Sequence, residues 1–356
     1  MVRILPGADP ASVAEAAAAI RAGRLVAFPT ETVYGLGANA LDAVAVAGIF
    51  EAKERPRFDP LIVHLADAAD LARYADPADV ADPRVARLAA RFWPGPLTLV
   101  LRKQPAIPGL VTAGLPTVGL RVPDHPVARA LIAAAGVPLA APSANRFGGL
   151  SPTRPSHVVH QLGDRVDLVL DGGPCRVGVE STVVLLAGGR AALLRPGGLP
   201  AEEVEAEIGP LEVPADGSPE AAALAPGRLG VHYAPAARLD LVPPDVPARA
   251  AAGERLGLLA ASDAGRAIAE IAGGPFAAVE VLAPDGDPVA AAARLFEALH
   301  ALEAAGVTRI VAQPVPERGL GRAVMDRLRR AALDESGHPP PRHHDAATPR
   351  VSTRTG

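Results

Sequence analysis

The feature that most constrains this chain is the stretch Phe-Pro-Thr-Glu-Thr-Val-Tyr-Gly-Leu-Gly at residues 28–37. It follows an apolar run at 25–28 that predicts a buried strand, and Pro29 ends this strand because proline cannot donate to a sheet ladder. Two hydroxyls, a carboxylate and a phenol follow, and Gly35 and Gly37 permit a sharp turn or the close approach of a ligand. A strand that ends in such a loop is a usual ligand position in α/β sheets, the alternative being an ordinary strand-to-helix turn.

Length and composition bound the class of protein. The chain has 356 residues, of which 49% are hydrophobic and 21% charged, which predicts roughly two globular domains. A net charge of -4 argues against a large electrostatic surface for nucleic acid, so we expect no stable direct binding of it. The single cysteine, Cys175, excludes an internal disulfide. There is no signal-peptide pattern and no apolar run of membrane-spanning length, so we expect a cytoplasmic protein without a membrane partner.

Lysine is rare in this chain and arginine abundant. Of 35 basic residues only Lys53 and Lys103 are lysines, so a lysine suggests a need for a compact ammonium instead of a planar guanidinium. Lys53 ends a predicted helix at 43–54, and Arg55 and two prolines follow. The pattern predicts either a charged clamp for phosphate or a surface charge favoured by the helix dipole. We expect Lys53→Ala to leave the fold intact and to lower activity by orders of magnitude, whereas near-normal turnover would indicate only a surface charge.

Two predicted strands carry polar side chains that need a partner. His64 interrupts an apolar strand at 61–65, where a histidine is more often a satisfied core residue than a ligand. Thr117 and Arg121 lie four residues apart in a strand at 117–123 and therefore share one face. An arginine directed at a sheet face needs an anion or a partner carboxylate, so Arg121 is the better ligand candidate.

A second polar loop follows the predicted strand at 137–141. It contains Pro-Ser-Ala-Asn at 142–145 and Gly-Gly-Leu-Ser-Pro-Thr at 148–153, so hydroxyl, amide and glycine again meet at a strand exit. Strands and helices alternate along this part of the chain, which predicts an α/β fold with a mixed or mainly parallel sheet.

The composition changes near residue 200. A stretch rich in proline and glycine predicts an interdomain connection, and it contains an adjacent His232 and Tyr233 that suggest a contact beyond that of a linker. Strands at 256–260, 277–282 and 308–312 and helices at 289–305 and 322–333 then predict a smaller α/β unit. We therefore divide the chain into a first domain at 1–208, a linker at 209–237, a second domain at 238–335 and a tail at 336–356 expected to be disordered.

Several common catalytic patterns are absent from the sequence. It has no phosphate-binding P-loop and no Gly-x-Ser-x-Gly nucleophile motif. Gly35-x-Gly37-x-x-Ala40 matches the dinucleotide fingerprint only weakly, and His157 and His160 lack a third metal ligand. The remaining pattern of hydroxyls, basic side chains and one carboxylate suits an anionic substrate and phosphates.

The motifs together resemble the YrdC-like family. The resemblance rests on the stretch at 28–37, Lys-x-Arg-Pro at 53–56, Pro-Leu-Ile-Val-His at 60–64, Trp-Pro-Gly-Pro-Leu-Thr at 93–98, Ala-Pro-Ser-Ala-Asn at 141–145, Gly-Val-Glu-Ser-Thr at 178–182 and Leu-Arg-Pro-Gly at 194–197. The linker and Pro-Glu-Arg-Gly-Leu-Gly at 316–321 resemble the long form, L-threonylcarbamoyladenylate synthase. This implies a YrdC-like twisted mixed sheet with helices, joined by a linker to a smaller Rossmann-like α/β domain.

The resemblance also implies a reaction. L-threonine and bicarbonate or CO2 would form a carbamate that attacks the α-phosphate of ATP, with Mg2+ as cofactor, and expels pyrophosphate. The product, threonylcarbamoyl-AMP, would pass to a tRNA threonylcarbamoyl transferase that modifies adenosine 37 of tRNA.

Site residues follow from the same resemblance. It implies that L-threonine is held by Thr32, His64, Arg121, the backbone at Ala141, and Ser181. It implies that ATP is held by Arg55, Asp59, Thr117, Ser143, Asn145, Ser151, Arg195 and Tyr233. Lys53 and Arg55 would be catalytic by offsetting phosphate charge, and His232 and Tyr233 would close as a lid. Asp59 stands where the family often has asparagine, so it would bind Mg2+ or point away from the phosphates.

Two other functions fit parts of the pattern. A non-catalytic RNA-binding module would use a similar concave surface, although the acidic net charge and an aromatic content of only 3% disfavour it. A carbamoyl-handling maturation domain is the second alternative, and those domains usually accompany zinc-finger-like cysteines that this chain lacks.

Overall fold

Two sheets organise the chain in this computed structural model, which describes residues 2–215, 223–227 and 232–333. The first sheet is ten-stranded and mixed, with the order β1-β8-β2-β3-β7-β4-β6-β5-β9-β10. Its strands are β1 (Arg3–Pro6), β2 (Val26–Phe28), β3 (Gly35–Asn39), β4 (Ile62–His64), β5 (Leu97–Arg102), β6 (Thr117–Arg121), β7 (Leu139–Ala140), β8 (Leu168–Asp171), β9 (Thr182–Leu185) and β10 (Ala192–Arg195). The predicted mixed α/β fold is thereby confirmed.

Helices cover the first sheet, and five of the eight begin at a residue whose side chain caps the helix. They are α1 (Pro10–Arg21), α2 (Ala43–Lys53), α3 (Leu71–Tyr74), α4 (Pro77–Val80), α5 (Pro83–Phe92), α6 (Pro126–Ala135), α7 (Pro155–Leu162) and α8 (Ala201–Ile208). Asp9 and Asp42 accept hydrogen bonds from the first free backbone N–H groups of α1 and α2. This is the usual role of an aspartate at the N-cap of a helix.

The opening stretch folds differently from the prediction at its end. Gly35 and Gly37 do not close a loop but belong to β3, which pairs antiparallel with β2. A Cβ atom at Gly37 would lie 2.7 Å from the Phe28 ring, so glycine is needed there because an aromatic ring packs across the strand. The polar residues 29–34 therefore form the turn of a hairpin instead of a strand-to-helix connection.

The second sheet is four-stranded and parallel, with the order β11-β14-β12-β13. Its strands are β11 (Arg238–Leu241), β12 (Leu256–Ala260), β13 (Phe276–Val281) and β14 (Arg309–Ala312), and its helices are α9 (Asp263–Ile271), α10 (Pro288–Ala304) and α11 (Gly321–Ala331). The predicted strands and helices of this smaller unit are confirmed to within two residues. The tail at 336–356 that we expected to be disordered lies outside the described residues.

Helix α10 joins the two units. Val33, Leu150 and Val179 of the first unit share one buried apolar cluster with the core of the second. A Cβ atom at Gly178 would lie 2.4 Å from the carbonyl oxygen of Ala292 in α10, so the backbones meet at a distance that only glycine allows. The second unit therefore packs directly against the loops that follow the strands of the first. Among the described helices, none is both long and apolar enough to cross a membrane.

Candidate active site

A cavity of about 530 Å³, including its open mouth, lies among the turn at 29–34, the ends of β4 and β6, and the loops after β7 and before β9. Most of the predicted site residues line it, namely Thr32, Arg55, His64, Arg121, Ala141, Ser143, Ser181, Arg195 and Tyr233. The predicted residues outside this lining are Lys53, Asp59, Thr117, Asn145 and Ser151. Segments far apart in the sequence therefore converge on one site.

The turn at 29–34 is held rigid by its own side chains. Thr30 donates its hydroxyl to the carbonyl oxygen of Val33 at 2.7 Å, and the hydroxyl oxygens of Thr30 and Thr32 lie 2.8 Å apart. The Tyr34 phenol points away from the cavity and donates to the carbonyl oxygen of Gly173 at 2.7 Å. Thr32 is therefore the member of this turn whose position suits a ligand contact, while Tyr34 supports the fold.

Arg121 has a protein carboxylate as its partner, and the sequence did not reveal which one. Its Nη2 lies 2.5 Å from Oε1 of Glu31, and its Nε donates to the carbonyl oxygen of Gly95 at 3.2 Å. The other Glu31 oxygen, Oε2, accepts the backbone N–H of Asp124 at 3.0 Å. Both side chains are buried, at 4% and 0% exposure. Glu31 therefore fixes one edge of the guanidinium group, which lines the cavity.

His64 lies beside Arg121 as a neutral imidazole. Burial, and then the Arg121 charge, lowers the pKa of His64 to about 3. Its Nδ1 atom is buried and has no hydrogen-bond partner among the described residues. A neutral ring on the cavity wall can bind a polar ligand group without adding a second positive charge beside Arg121.

Two further guanidinium groups reach the cavity, and both are anchored to backbone. Arg195 donates to the carbonyl oxygens of Ser181, at 2.9 Å, and Pro226, at 2.8 Å. Arg55 donates to the carbonyl oxygen of Pro60 at 2.9 Å, and its Nη2 lies 2.8 Å from the Asp59 carboxylate. Neither group needs to be ordered by a ligand, because its position is already fixed.

Asp59 offsets positive charge behind the cavity. Its side chain is fully buried, and burial raises the pKa of its carboxyl against the opposing charges of Arg55 and Lys53. Neither oxygen makes a hydrogen bond of good geometry to the described residues, so the contact with Arg55 is an ion pair set by distance alone. Asp59 is not part of the cavity lining and pairs with Arg55, and its place relative to the phosphates or Mg2+ stays a prediction.

Lys53 requires a correction. The expectation of a surface charge is wrong, because the residue is 1% exposed and its ammonium group donates to the carbonyl oxygens of Ser143, at 2.6 Å, and Asn145, at 2.5 Å. Burial, and then the Arg55 charge, holds the pKa of Lys53 well below its usual range. Since Lys53 does not line the cavity, it fastens the loop at 142–145 from behind.

This position changes the expected effect of replacing Lys53. Lys53→Met should lower the free energy of unfolding by about 2–4 kcal/mol, because two buried carbonyl groups lose their donor. Urea unfolding measures the change. Lys103→Met is the matched control, since among the described residues the Lys103 ammonium donates to one carbonyl oxygen, that of Ile107, and the site is half-buried. Equal stability of the two variants would contradict a fastening role for Lys53.

The remaining nucleotide candidates support the wall or lie next to it. The Asn145 amide donates to the carbonyl oxygens of Arg146 and Gly149, at 2.7 and 2.9 Å, and so shapes its own loop. Ser151 donates its hydroxyl to Glu180. Thr117 lines an adjoining cavity of about 300 Å³ that shares Ile62 and Pro226 with the first cavity.

The linker contributes a wall of the cavity. Tyr233 is 1% exposed, and its hydroxyl lies so close to Gly227 that a Cβ atom there would be 2.3 Å from the phenol oxygen. The His232 ring packs edge-on against Phe147 at 5.7 Å between centroids. The adjacent histidine and tyrosine in the sequence predicted such a contact.

Three charged residues near the cavity were not predicted. Glu31 and Glu180 lie in the recognised motifs, but nothing in a motif shows which carboxylate meets which arginine. Glu180 lines the cavity, and the buried Arg327 donates to it from helix α11 of the second unit at 2.9 Å. No signal in the sequence connected Arg327 with the first unit.

Family models, curated relatives and a solved structure are similar to this chain. The Sua5/YciO/YrdC family model, described as "Telomere recombination", matches residues 18–197, and "Threonylcarbamoyl-AMP synthase, C-terminal domain" matches 199–333. The chain is 47% identical over 322 residues to threonylcarbamoyl-AMP synthase of Pyrococcus abyssi, covering 89% of this chain and 93% of the relative. It is 44% identical over 335 residues to that of Bacillus subtilis, covering 91% and 93%. The crystal structure of P. abyssi Sua5 complexed with L-threonine has a TM-score of 0.83 at 40% identity and covers 93% of this chain and 97% of that chain.

Proposed function

Since this chain belongs to the Sua5/YrdC family of threonylcarbamoyl-AMP synthases, we propose that it converts L-threonine, bicarbonate or CO2, and ATP into threonylcarbamoyl-AMP and pyrophosphate. The threonine amine takes up the carbon to form a carbamate, with loss of water when bicarbonate is the source. A carbamate oxygen then bonds to the α-phosphorus of ATP, and the bond from that phosphorus to the bridging oxygen breaks. Pyrophosphate leaves with the bridging oxygen.

One observation carries the proposal: three anchored guanidinium groups, from Arg55, Arg121 and Arg195, line a single buried cavity. A small amino acid would engage one of them through its carboxylate, and a triphosphate would engage the other two. Arginine suits both tasks because its planar fork matches carboxylate and phosphate oxygens. Groups fixed before the ligand arrives also stabilise charge that develops on phosphate without reorganising.

In the threonine half of the site, Arg121 would bind the carboxylate with the edge that Glu31 leaves available. The Ala141 N–H donates to the carbonyl oxygen of Ile62 at 3.0 Å, so only the Ala141 carbonyl group remains to accept from the threonine amine. Thr32, Ser181 and the neutral His64 would surround the threonine hydroxyl and methyl groups. The P. abyssi protein of the L-threonine complex is the relative that supports this half of the proposal.

In the nucleotide half, Arg55, Arg195 and Ser143 would meet the phosphates, and the adjoining cavity beside Thr117 would take the base. Among the described residues, no three histidine, cysteine, aspartate or glutamate side chains group as a metal site. Mg2+ usually binds through one or two carboxylates together with substrate phosphates, so it fits here as a companion of ATP. Its chemistry would be to offset charge on the phosphate oxygens.

Tyr233 and His232 would act as a lid over the bound substrates. Both residues are buried and line the cavity, so we expect part of the linker to move when ATP enters and leaves. A closed lid would keep water away from the mixed anhydride of the product. That product would then serve a transferase that modifies tRNA at adenosine 37.

The test of the proposed function is pyrophosphate release from ATP and Mg2+, with L-threonine and bicarbonate each added and omitted. Release that requires both would support the synthase. Release with neither would indicate a nucleotide hydrolase instead. The absence of release from folded protein would reject the proposal and favour the binding-module alternative.

A further inference from the structure

Arg327 is a buried arginine of the second unit that reaches the active site of the first. It lies in helix α11 and is 1% exposed. Its Nε donates to Oε2 of Glu180 at 2.9 Å, and its Nη1 donates to the carbonyl oxygen of Pro196 at 2.7 Å. Glu180 lines the cavity, and Pro196 directly follows Arg195. One side chain therefore contacts two segments of the cavity wall.

The same guanidinium group also contacts the linker. Its carbon atom lies 5.0 Å from the centre of the Tyr233 ring, within the range of a cation–π interaction. The Tyr233 ring also lies near Phe296 of helix α10, at 5.8 Å between centroids. The lid tyrosine thus lies among residues of the second unit.

We propose that Arg327 is a positioning residue through which the second unit sets the nucleotide half of the active site, by fixing the Glu180 carboxylate and the Tyr233 ring together. The proposal rests on the proposed function, since it assigns a role within that reaction. It would give the second unit of this chain a role in the reaction although, among the described residues, the strands of its sheet do not line the cavity.

The charge of Glu180 makes it depend on Arg327. Glu180 is 7% exposed and faces a cavity proposed to hold phosphates, so its negative charge needs a fixed counter-charge. The neighbouring Arg195 also feels the fields of Arg327 and Glu180. Without Arg327, Glu180 would repel the phosphates and compete with them for Arg195. The Tyr233 ring would at the same time lose the cation that it packs against.

The test compares Arg327→Ala with Arg322→Ala. Arg322 lies in the same helix and also crosses to the first unit, but through an exposed contact of 3.4 Å with Glu202, so it is a matched control. For Arg327→Ala we expect the KM for ATP to rise and kcat to fall by about tenfold each or more, since a buried ion pair loses one partner. The KM for L-threonine should change by less than about threefold, and Arg322→Ala should match the wild type.

Two further measurements separate positioning from a loss of folded protein. Guanidinium ion at low millimolar concentration should restore part of the ATP turnover of Arg327→Ala and leave Arg322→Ala unchanged. Arg327→Lys, which keeps the charge but has no planar fork, should lie between the wild type and the alanine variant. If Arg327→Ala does not fold, the shift in the KM for ATP in Arg327→Lys decides the question.

The outcomes distinguish this inference from the function on which it rests. A wild-type protein that releases no pyrophosphate would reject the proposed function. A wild-type protein that is active, with Arg327 variants whose KM for ATP equals that of Arg322→Ala, would overturn the positioning role alone. So would an equal loss of kcat at unchanged KM for both substrates, since that is the behaviour of a smaller folded fraction.

Discussion

Replacing Arg121 with lysine should raise the KM for L-threonine by about 100-fold, because two charge-assisted hydrogen bonds of about 1.5 kcal/mol each are lost. The guanidinium group can serve Glu31 with one edge and the substrate carboxylate with another. A lysine ammonium would stay with the buried Glu31 carboxylate, 2.5 Å from the present guanidinium nitrogen, and has no second edge to offer. The KM for ATP should change by less than about threefold, because Arg121 lies in the other half of the site.

Stability provides the control for this substitution. Arg121→Lys keeps a cation beside Glu31, so the fold should persist, whereas Arg121→Ala should lower the free energy of unfolding by about 3–5 kcal/mol by leaving a buried charge unpaired. Arg129→Lys, at an exposed position of helix α6, makes the same chemical change away from the cavity and should alter neither quantity. An unchanged KM for L-threonine in folded Arg121→Lys would show that Arg121 serves only to neutralise Glu31.

Arg121 also shows how much of the site can be predicted from the sequence. The even spacing from Thr117 placed it on one face of a strand, and burial of a charge demanded an anion or a carboxylate. The structure provides the carboxylate of Glu31, which lies 90 residues away. Sequence patterns describe neighbours along the chain, so they can require a partner for a buried charge without identifying it.

Lys53 and Arg327 show two further limits of prediction from the sequence. The rarity of lysine singled out Lys53 correctly as unusual, but the helix-end position suggested exposure, whereas the loop that contains Ser143 and Asn145 folds over its ammonium group. Almost all basic residues of this chain are arginines, so composition did not single out Arg327. Only the packing of helix α11 against the loop before β9 brings it to Glu180.

Acid should destabilise this chain steeply, because it buries several histidines in the neutral form. Burial is the main cause of these pKa shifts. It lowers the pKa of His64 and of His300 to about 3 and that of His157 to about 4, and it holds the pKa of His232 well below its usual value. His157 and His300 stack at 3.8 Å where the two units meet, and a charge on His157 further lowers the pKa of His300. In the unfolded chain all four would titrate near 6.5.

The direction in which stability changes with pH follows from the number of protons that each state binds. Between about pH 6.5 and 4 the unfolded chain binds more protons than the folded chain, so the free energy of unfolding falls as the pH falls. Each neutral histidine contributes a slope of up to about 1.4 kcal/mol per pH unit, and four together up to about 5 kcal/mol per unit. Because His157 and His300 retain some exposure, we expect the measured slope to be smaller, at about three protons taken up on unfolding.

Urea unfolding at pH 7.0, 6.0 and 5.0 measures this slope in a range where most carboxylates stay ionised. His300→Asn should reduce the uptake by about one proton, because it removes one depressed group while an amide can still contact the Ser151 carbonyl oxygen, which now lies 3.3 Å from the ring. Stability that is constant from pH 7.0 to 5.0 would mean that these histidines gain protons without unfolding, and hence that the contact between the two units tolerates their charge.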